Sequence, residues 1–162
     1  MNPELSSELR RQHESTTAVS ITFAPRRGAI LMCDFGPDAR DPNTFPLRKP
    51  PVAVPPEIWK VRRVVVVSND AINHKHGRAP GVCLVVPFSA TPPNTPEPWD
   101  VLFPARSYRS LTRDVWAKCA SVGIVSHARL DRVIAGQGYR TDFLTAVDMA
   151  RIEAGLRAAL SL

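Results

Sequence analysis

Four consecutive valines, Val64 to Val67, preceded by Lys60-Val61-Arg62-Arg63 and stopped by Ser68-Asn69-Asp70, constrain this chain more than any other feature. β-Branched side chains are stiff about χ1 and suit a pleated surface. An unbroken apolar run leaves no polar face, so it reads as a strand buried on both sides, such as the wall of a small barrel. The guanidinium groups at its mouth gain nothing from burial and are suited to hold a phosphate. A cationic rim on an apolar barrel points to a nucleic-acid site.

The charge balance agrees. A net charge of +6 and a pI near 9.8 favour a polyanionic partner through long-range attraction. Residues 26–78 hold ten Lys or Arg against five Asp or Glu, which places the basic surface in the first half of the barrel. At 162 residues the chain is expected to form one core. A polar N-terminal extension over 1–25 would precede a barrel domain over 26–162.

Three cysteines, Cys33, Cys83 and Cys119, lie in apolar contexts and read as buried thiols of a reducing cytosol. With no Cys-x-x-Cys or clustered Cys/His spacing, neither a metal nor another cofactor is expected. The first 20 residues hold no apolar leader, and no window approaches 18 apolar residues. The expectation is therefore a cytoplasmic protein without a membrane span.

Strands are predicted at about 28–35, 61–68 and 81–88, with a short one near 100–103 and another near 115–125. A frayed helix could occupy 3–14. Proline fills the loop 36–56 and recurs at 92–98, which excludes strand and helix interior there. Ser126 to Leu130 reads as a turn or single helical turn. The last element is a helix capped by Thr141 or Asp142, with Leu144, Val147, Ile152, Leu156 and Leu160 along one face. These elements describe a mainly β fold, a small barrel closed by a C-terminal amphipathic helix.

These motifs, in this order, resemble the MazF/PemK family of toxins from bacterial toxin–antitoxin pairs. Arg27-Gly28-Ala29-Ile30-Leu31-Met32-Cys33-Asp34-Phe35 is similar to the family's opening Arg-Gly-Asp-Ile strand. Lys60 to Asp70 resembles its Lys-x-Arg-Pro strand, valine run and Ser-Asn-Asp. Val85-Val86-Pro87-Phe88-Ser89-Ala90-Thr91 resembles its Val-Pro-(Leu/Ile)-(Ser/Thr) strand end. Trp116 to Cys119 and Val125 to Leu130 match its late strand and following turn. The resemblance implies an SH3-like barrel, a homodimer, and metal-independent cleavage of single-stranded RNA to a 2′,3′-cyclic phosphate and a 5′-hydroxyl. It also implies an acidic antitoxin as partner.

The resemblance also implies site residues. Arg62 matches the strand-mouth arginine implicated in catalysis. Its guanidinium is too basic to take a proton, so its role would be to clamp the phosphoryl oxygens as charge builds. Arg63 stands where the family has proline. Adjacent strand residues point to opposite faces, so it reads as a solvated outer-face arginine. Ser89 matches the catalytic-site Ser/Thr and can donate to phosphate or position the 2′-hydroxyl, or else bond its own turn. Thr91 is a weaker neighbour, and Lys60 opens the same basic strand. Lys118 keeps the cation of an Arg-Cys-Asp motif, but Ala120 replaces the carboxylate.

His74 and His76, around Lys75, could act as base and acid. Arg48 and Lys49 could track phosphates, and Trp99 and Tyr108 could stack on a base or fill the core. Two alternatives compete. One is a non-enzymatic toxin of the gyrase-poisoning type, although the C-terminal Leu160-Ser161-Leu162 differs from the Trp-Gly-Ile of that type. The other is a catalytically degenerate barrel that only binds RNA or an antitoxin.

Overall fold

The computed structural model describes residues 21–36, 58–73, 81–135 and 138–162. The expected helix at 3–14 and most of the proline-rich loop lie outside them. Seven strands form one antiparallel sheet: β1 (Ile30–Asp34), β2 (Val61–Val66), β3 (Val82–Ser89), β4 (Asp100–Phe103), β5 (Val115–Lys118), β6 (Gly123–Ser126) and β7 (Leu130–Asp131). Their order is β4-β5-β3-β2-β1-β7, with β6 also paired to β3. Two further strands, β8 (Val133–Ala135) and β9 (Gly138–Arg140), make a separate hairpin. Among the described residues β4 and β7 do not pair, so the sheet is barrel-like without being closed, in keeping with the mainly β fold expected.

The valine run behaves as its composition requires. Val65 and Val67 join Ile30, Val86, Phe88, Phe103 and Ile152 in one core cluster. Val64 and Val66 join Leu31, Cys33, Val85 and Leu130 in the other. Alternate side chains thus enter two cores on opposite sides of one strand.

Ser68-Asn69-Asp70 ends the strand through specific bonds. The Asn69 side chain accepts from Ile72 N at 2.9 Å and starts the short helix Asp70–Asn73. Ser68 Oγ donates to Asn73 Oδ1 and accepts from Leu84 N, which ties the turn to β3. Asp70 Oδ1 accepts from Arg27 N at 2.8 Å.

The strand expected at 115–125 is broken. Phe88 faces Ala117 and Val85 faces Gly123, so three steps along β3 correspond to six along its neighbour. The extra residues are taken up in a 3-10 turn, Cys119–Ser121, which turns the Cys119 side chain inward. The single helical turn read near 126–130 is present as His127–Arg129.

The C-terminal helix, Ala146–Leu160, is capped by Thr145, whose side chain accepts from Asp148 N at 3.2 Å. Neither Thr141 nor Asp142 is the cap. Asp142 instead accepts from Ser110 N at 2.7 Å. Val147 is 72% exposed, contrary to the expected apolar face, and the buried positions are Ile152 and Gly155. Leu144, just before the helix, joins the core cluster instead.

Gly155 lets the helix approach the 3-10 turn. A Cβ there would lie 2.7 Å from Cys119 Sγ and 3.1 Å from Val101 Cγ2. Gly155→Ala gains about 1 kcal/mol of helix propensity but overpacks a buried contact, which costs about 1–3 kcal/mol. The expected result is net destabilisation, relieved by adding Cys119→Ala. A denaturant double-mutant cycle measures that coupling.

All three cysteines are buried and unbridged, as expected. Burial first pushes their thiols up, to about 12 for Cys33 and Cys83 and about 11 for Cys119.

Candidate nucleic-acid site

The site lies where β2 and β3 part company. Their ladder ends with Val64 opposite Pro87, whereas β2 continues beside β1 back to Val61 and β3 continues beside β5 to Ser89. The gap is a cavity of about 230 Å³. Its apolar lining comes from Met32, Phe88, Ala90, Leu111 and Val115, and its polar lining from Arg62, Arg63, Thr112 and Arg113.

Arg62 shares the strand parity of Val64 and is half-buried. Its Nε donates to Trp59 O at 2.8 Å, which fixes the guanidinium plane at the cavity mouth. It forms no ion pair among the described residues. Ser89 ends β3 beyond the point where the ladder with β2 stops, and it is not among the residues that line the cavity. Ser89 Oγ accepts from Thr91 N at 3.3 Å, the turn bond foreseen as the alternative, and its own proton can still be donated. Thr91 is exposed.

Arg63 is not the outer-face arginine expected. It shares the parity of Val65 and pairs in register with Met32, which packs against the core cluster beneath the helix. The opposite-face rule holds, but the inner side at this end is the one Arg63 takes. Its Nε is buried without a hydrogen-bond partner among the described residues. Burial, and secondarily the Arg113 cation, hold its guanidinium below the usual arginine range.

Lys118 is engaged elsewhere. It lies directly across from Asp100 on β4, and Nζ contacts Asp100 Oδ1 at 2.7 Å. A carboxylate therefore neutralises this lysine despite Ala120, and it is not part of the cavity lining. Lys60 has a left-handed backbone (φ 72°) and places Nζ 4.0 Å from the Trp59 ring centre. Trp99 packs against the core. Arg48, Lys49, His74, Lys75 and His76 lie outside the described residues.

The loop between β4 and β5, from which only Tyr108 was expected near the site, also supplies arginines. Its arginines, Arg106, Arg109 and Arg113, fall within eight residues, a spacing legible in the sequence. Arg113 lines the first cavity, and Arg106 and Arg109 line a second of about 430 Å³ that shares Leu111 and Thr112 with it. Tyr108 anchors the loop by donating to Asp148 Oδ2 at 2.6 Å and accepting from Thr145 N at 2.9 Å.

Burial raises the Asp148 carboxyl, but hydrogen bonds from Tyr108, Arg151 and Thr145 outweigh it and hold the group below its ordinary 3.8. A depressed carboxylate stabilises the fold above its unfolded value, and that contribution fades as pH falls through the lower folded value. Tyr108→Phe should cost about 1–2 kcal/mol near neutrality. The gap to the parent should narrow as pH falls below the ordinary carboxyl value, read as melting temperature against pH.

The model of PemK-like, MazF-like toxins of type II toxin–antitoxin systems matches residues 26–160. The chain belongs to this toxin family. No curated protein matches it by sequence. Among solved structures, an endoribonuclease in complex with its cognate antitoxin, from a mycobacterial species, is 19% identical with a TM-score of 0.53. That likeness covers 86% of this chain and 97% of the other. A second mycobacterial endoribonuclease structure has the same identity and TM-score, covering 86% of this chain and 94% of its own. At such identity these neighbours establish the shared fold. As a member of the MazF/PemK-like toxins, the chain has no cluster of His, Cys, Asp or Glu suited to a metal among its described residues. None of its described helices is long and apolar enough to cross a membrane.

Proposed function

We propose that this toxin is a metal-independent endoribonuclease that cleaves single-stranded RNA. The 2′-oxygen attacks the adjacent phosphorus, the bond to the 5′-oxygen breaks, and a 2′,3′-cyclic phosphate and a 5′-hydroxyl result. The observation carrying this reading is Arg62, pinned by Trp59 O at the lip of the cleft between β2 and the end of β3. A guanidinium held there meets the growing phosphorane charge without first reorganising, the condition under which such donors act most strongly. Ser89 would orient the 2′-hydroxyl or a non-bridging oxygen. His74 and His76 are the candidates for proton transfer.

The mycobacterial neighbour bound to its cognate antitoxin supports an antitoxin partner for this chain as well. Homodimerisation and action in the cytoplasm belong to the same proposal. Exposed Leu84 and Ile124, paired across β3 and β6, with Val82 beside them, offer an apolar patch for a second copy.

One observation favours a second reading. No carboxylate or imidazole lines the cavity among the described residues, so the barrel could bind RNA without cutting it. Incubating the pure protein with single-stranded RNA in EDTA and mapping the ends separates the two. Fragments with 5′-hydroxyl ends support cleavage without metal. Intact RNA that remains bound supports the binding reading, and intact, unbound RNA with inhibited gyrase supports the gyrase-poisoning type.

A further inference from the structure

We infer that the cavity holding Arg63 and Arg113 is a second phosphate subsite, which takes the RNA phosphate next to the one that Arg62 contacts. The inference rests on the proposed RNA function and adds residues that function does not require. Arg63 occupies the family's proline position, so the subsite belongs to this chain.

Three observations carry it. First, the Arg63 Nε is buried and has no hydrogen-bond partner among the described residues, although nearly all buried polar groups find one. The guanidinium stays protonated, and a half-buried cation with one desolvated nitrogen favours an anion beside it. Second, Arg113 reaches the same cavity from the loop between β4 and β5. Two like charges facing one space repel each other unless a shared counter-charge lies between them, and Thr112 adds a hydroxyl donor there. Third, Arg62 and Arg63 are consecutive, with Cα atoms about 3.8 Å apart and side chains diverging to opposite faces of β2. They suit two successive charges on one polymer rather than one isolated ion. The apolar floor of Met32, Phe88 and Leu111 offers the flanking base a surface.

A phosphate suits the pair better than a lone carboxylate, since its oxygens can satisfy two guanidinium groups at once. The neighbouring cavity with Arg106 and Arg109 shares Leu111 and Thr112 with this one and extends the cationic surface.

The test uses a single-stranded oligonucleotide whose ribose at the cleavage position lacks its 2′-hydroxyl, so that binding is measured without cutting. Fluorescence anisotropy is recorded across salt concentrations for the parent, Arg63→Gln, Arg113→Gln and the double variant. Each single variant should bind about tenfold more weakly, the loss expected when a charge-assisted contact is removed. Each should also flatten the slope of log affinity against log salt by about 0.7, the value for one phosphate on a single strand. The double variant should flatten it no further, because both arginines hold the same phosphate. Melting temperatures at or above the parent's show that folding is intact.

Unchanged affinity and slope in Arg63→Gln, with the parent still cleaving ordinary RNA, overturn the subsite and leave the proposed function standing. A parent that neither binds nor cleaves RNA overturns both. So does one that binds inorganic phosphate or an acidic peptide through Arg63 while ignoring the oligonucleotide.

Discussion

Arg62→Ala is expected to slow RNA cleavage by about 10²- to 10³-fold, the loss seen when one preorganised oxyanion donor is removed. The fall should lie in kcat, with KM little altered, because the interaction strengthens only as the phosphorane forms. Arg62→Lys should recover little. A lysine supplies a point charge but not the planar fork, and it has no Nε to bond Trp59 O. Single-turnover kinetics on a defined RNA make the measurement. An unchanged kcat in Arg62→Ala would remove this residue from the chemistry.

The second large effect concerns Phe103, which is fully buried. Its ring meets Phe88 edge-on, with centroids 5.4 Å apart, and lies 6.3 Å from Tyr108. The Arg151 guanidinium sits 5.1 Å from its centre. Phe103→Ala should cost about 3–5 kcal/mol through lost transfer energy and the void it leaves. For a chain of this size that lowers the melting temperature by roughly 10 °C. Phe88 lines the cleft and Tyr108 fastens the arginine loop, so the same variant should weaken RNA binding. Phe103→Leu, which refills much of the space, should recover most of both properties. Recovery of stability without recovery of binding would disconnect this packing from the site.

Much of the architecture was legible because it follows from local chemistry. Val64 to Val67 predict a strand with two apolar faces, and both faces are buried. The three thiols and the turn at His127 also follow from their surroundings. The break at Cys119–Ser121 was not legible, since the turn packs against Gly155 on a helix far along the chain. The inward turn of Arg63 was hidden for a related reason. Alternation says that Arg62 and Arg63 diverge, but which side is interior depends on the loop from Pro104 to Asp114 that closes that end. Lys118 looked available because its partner, Asp100, comes from another strand. Arg113 needed no such knowledge, because its spacing from Arg106 and Arg109 was visible throughout.

The burial of all three cysteines has a practical consequence. Thiols with pKa values of about 11 or 12 carry almost no thiolate at neutral pH and are shielded from reagents. A cysteine introduced at exposed Ala90, on the lip of the cleft, would therefore be the dominant target for a maleimide dye. The parent protein thus needs no cysteine-free background, and a fluorophore at that one position would report occupancy of the groove directly.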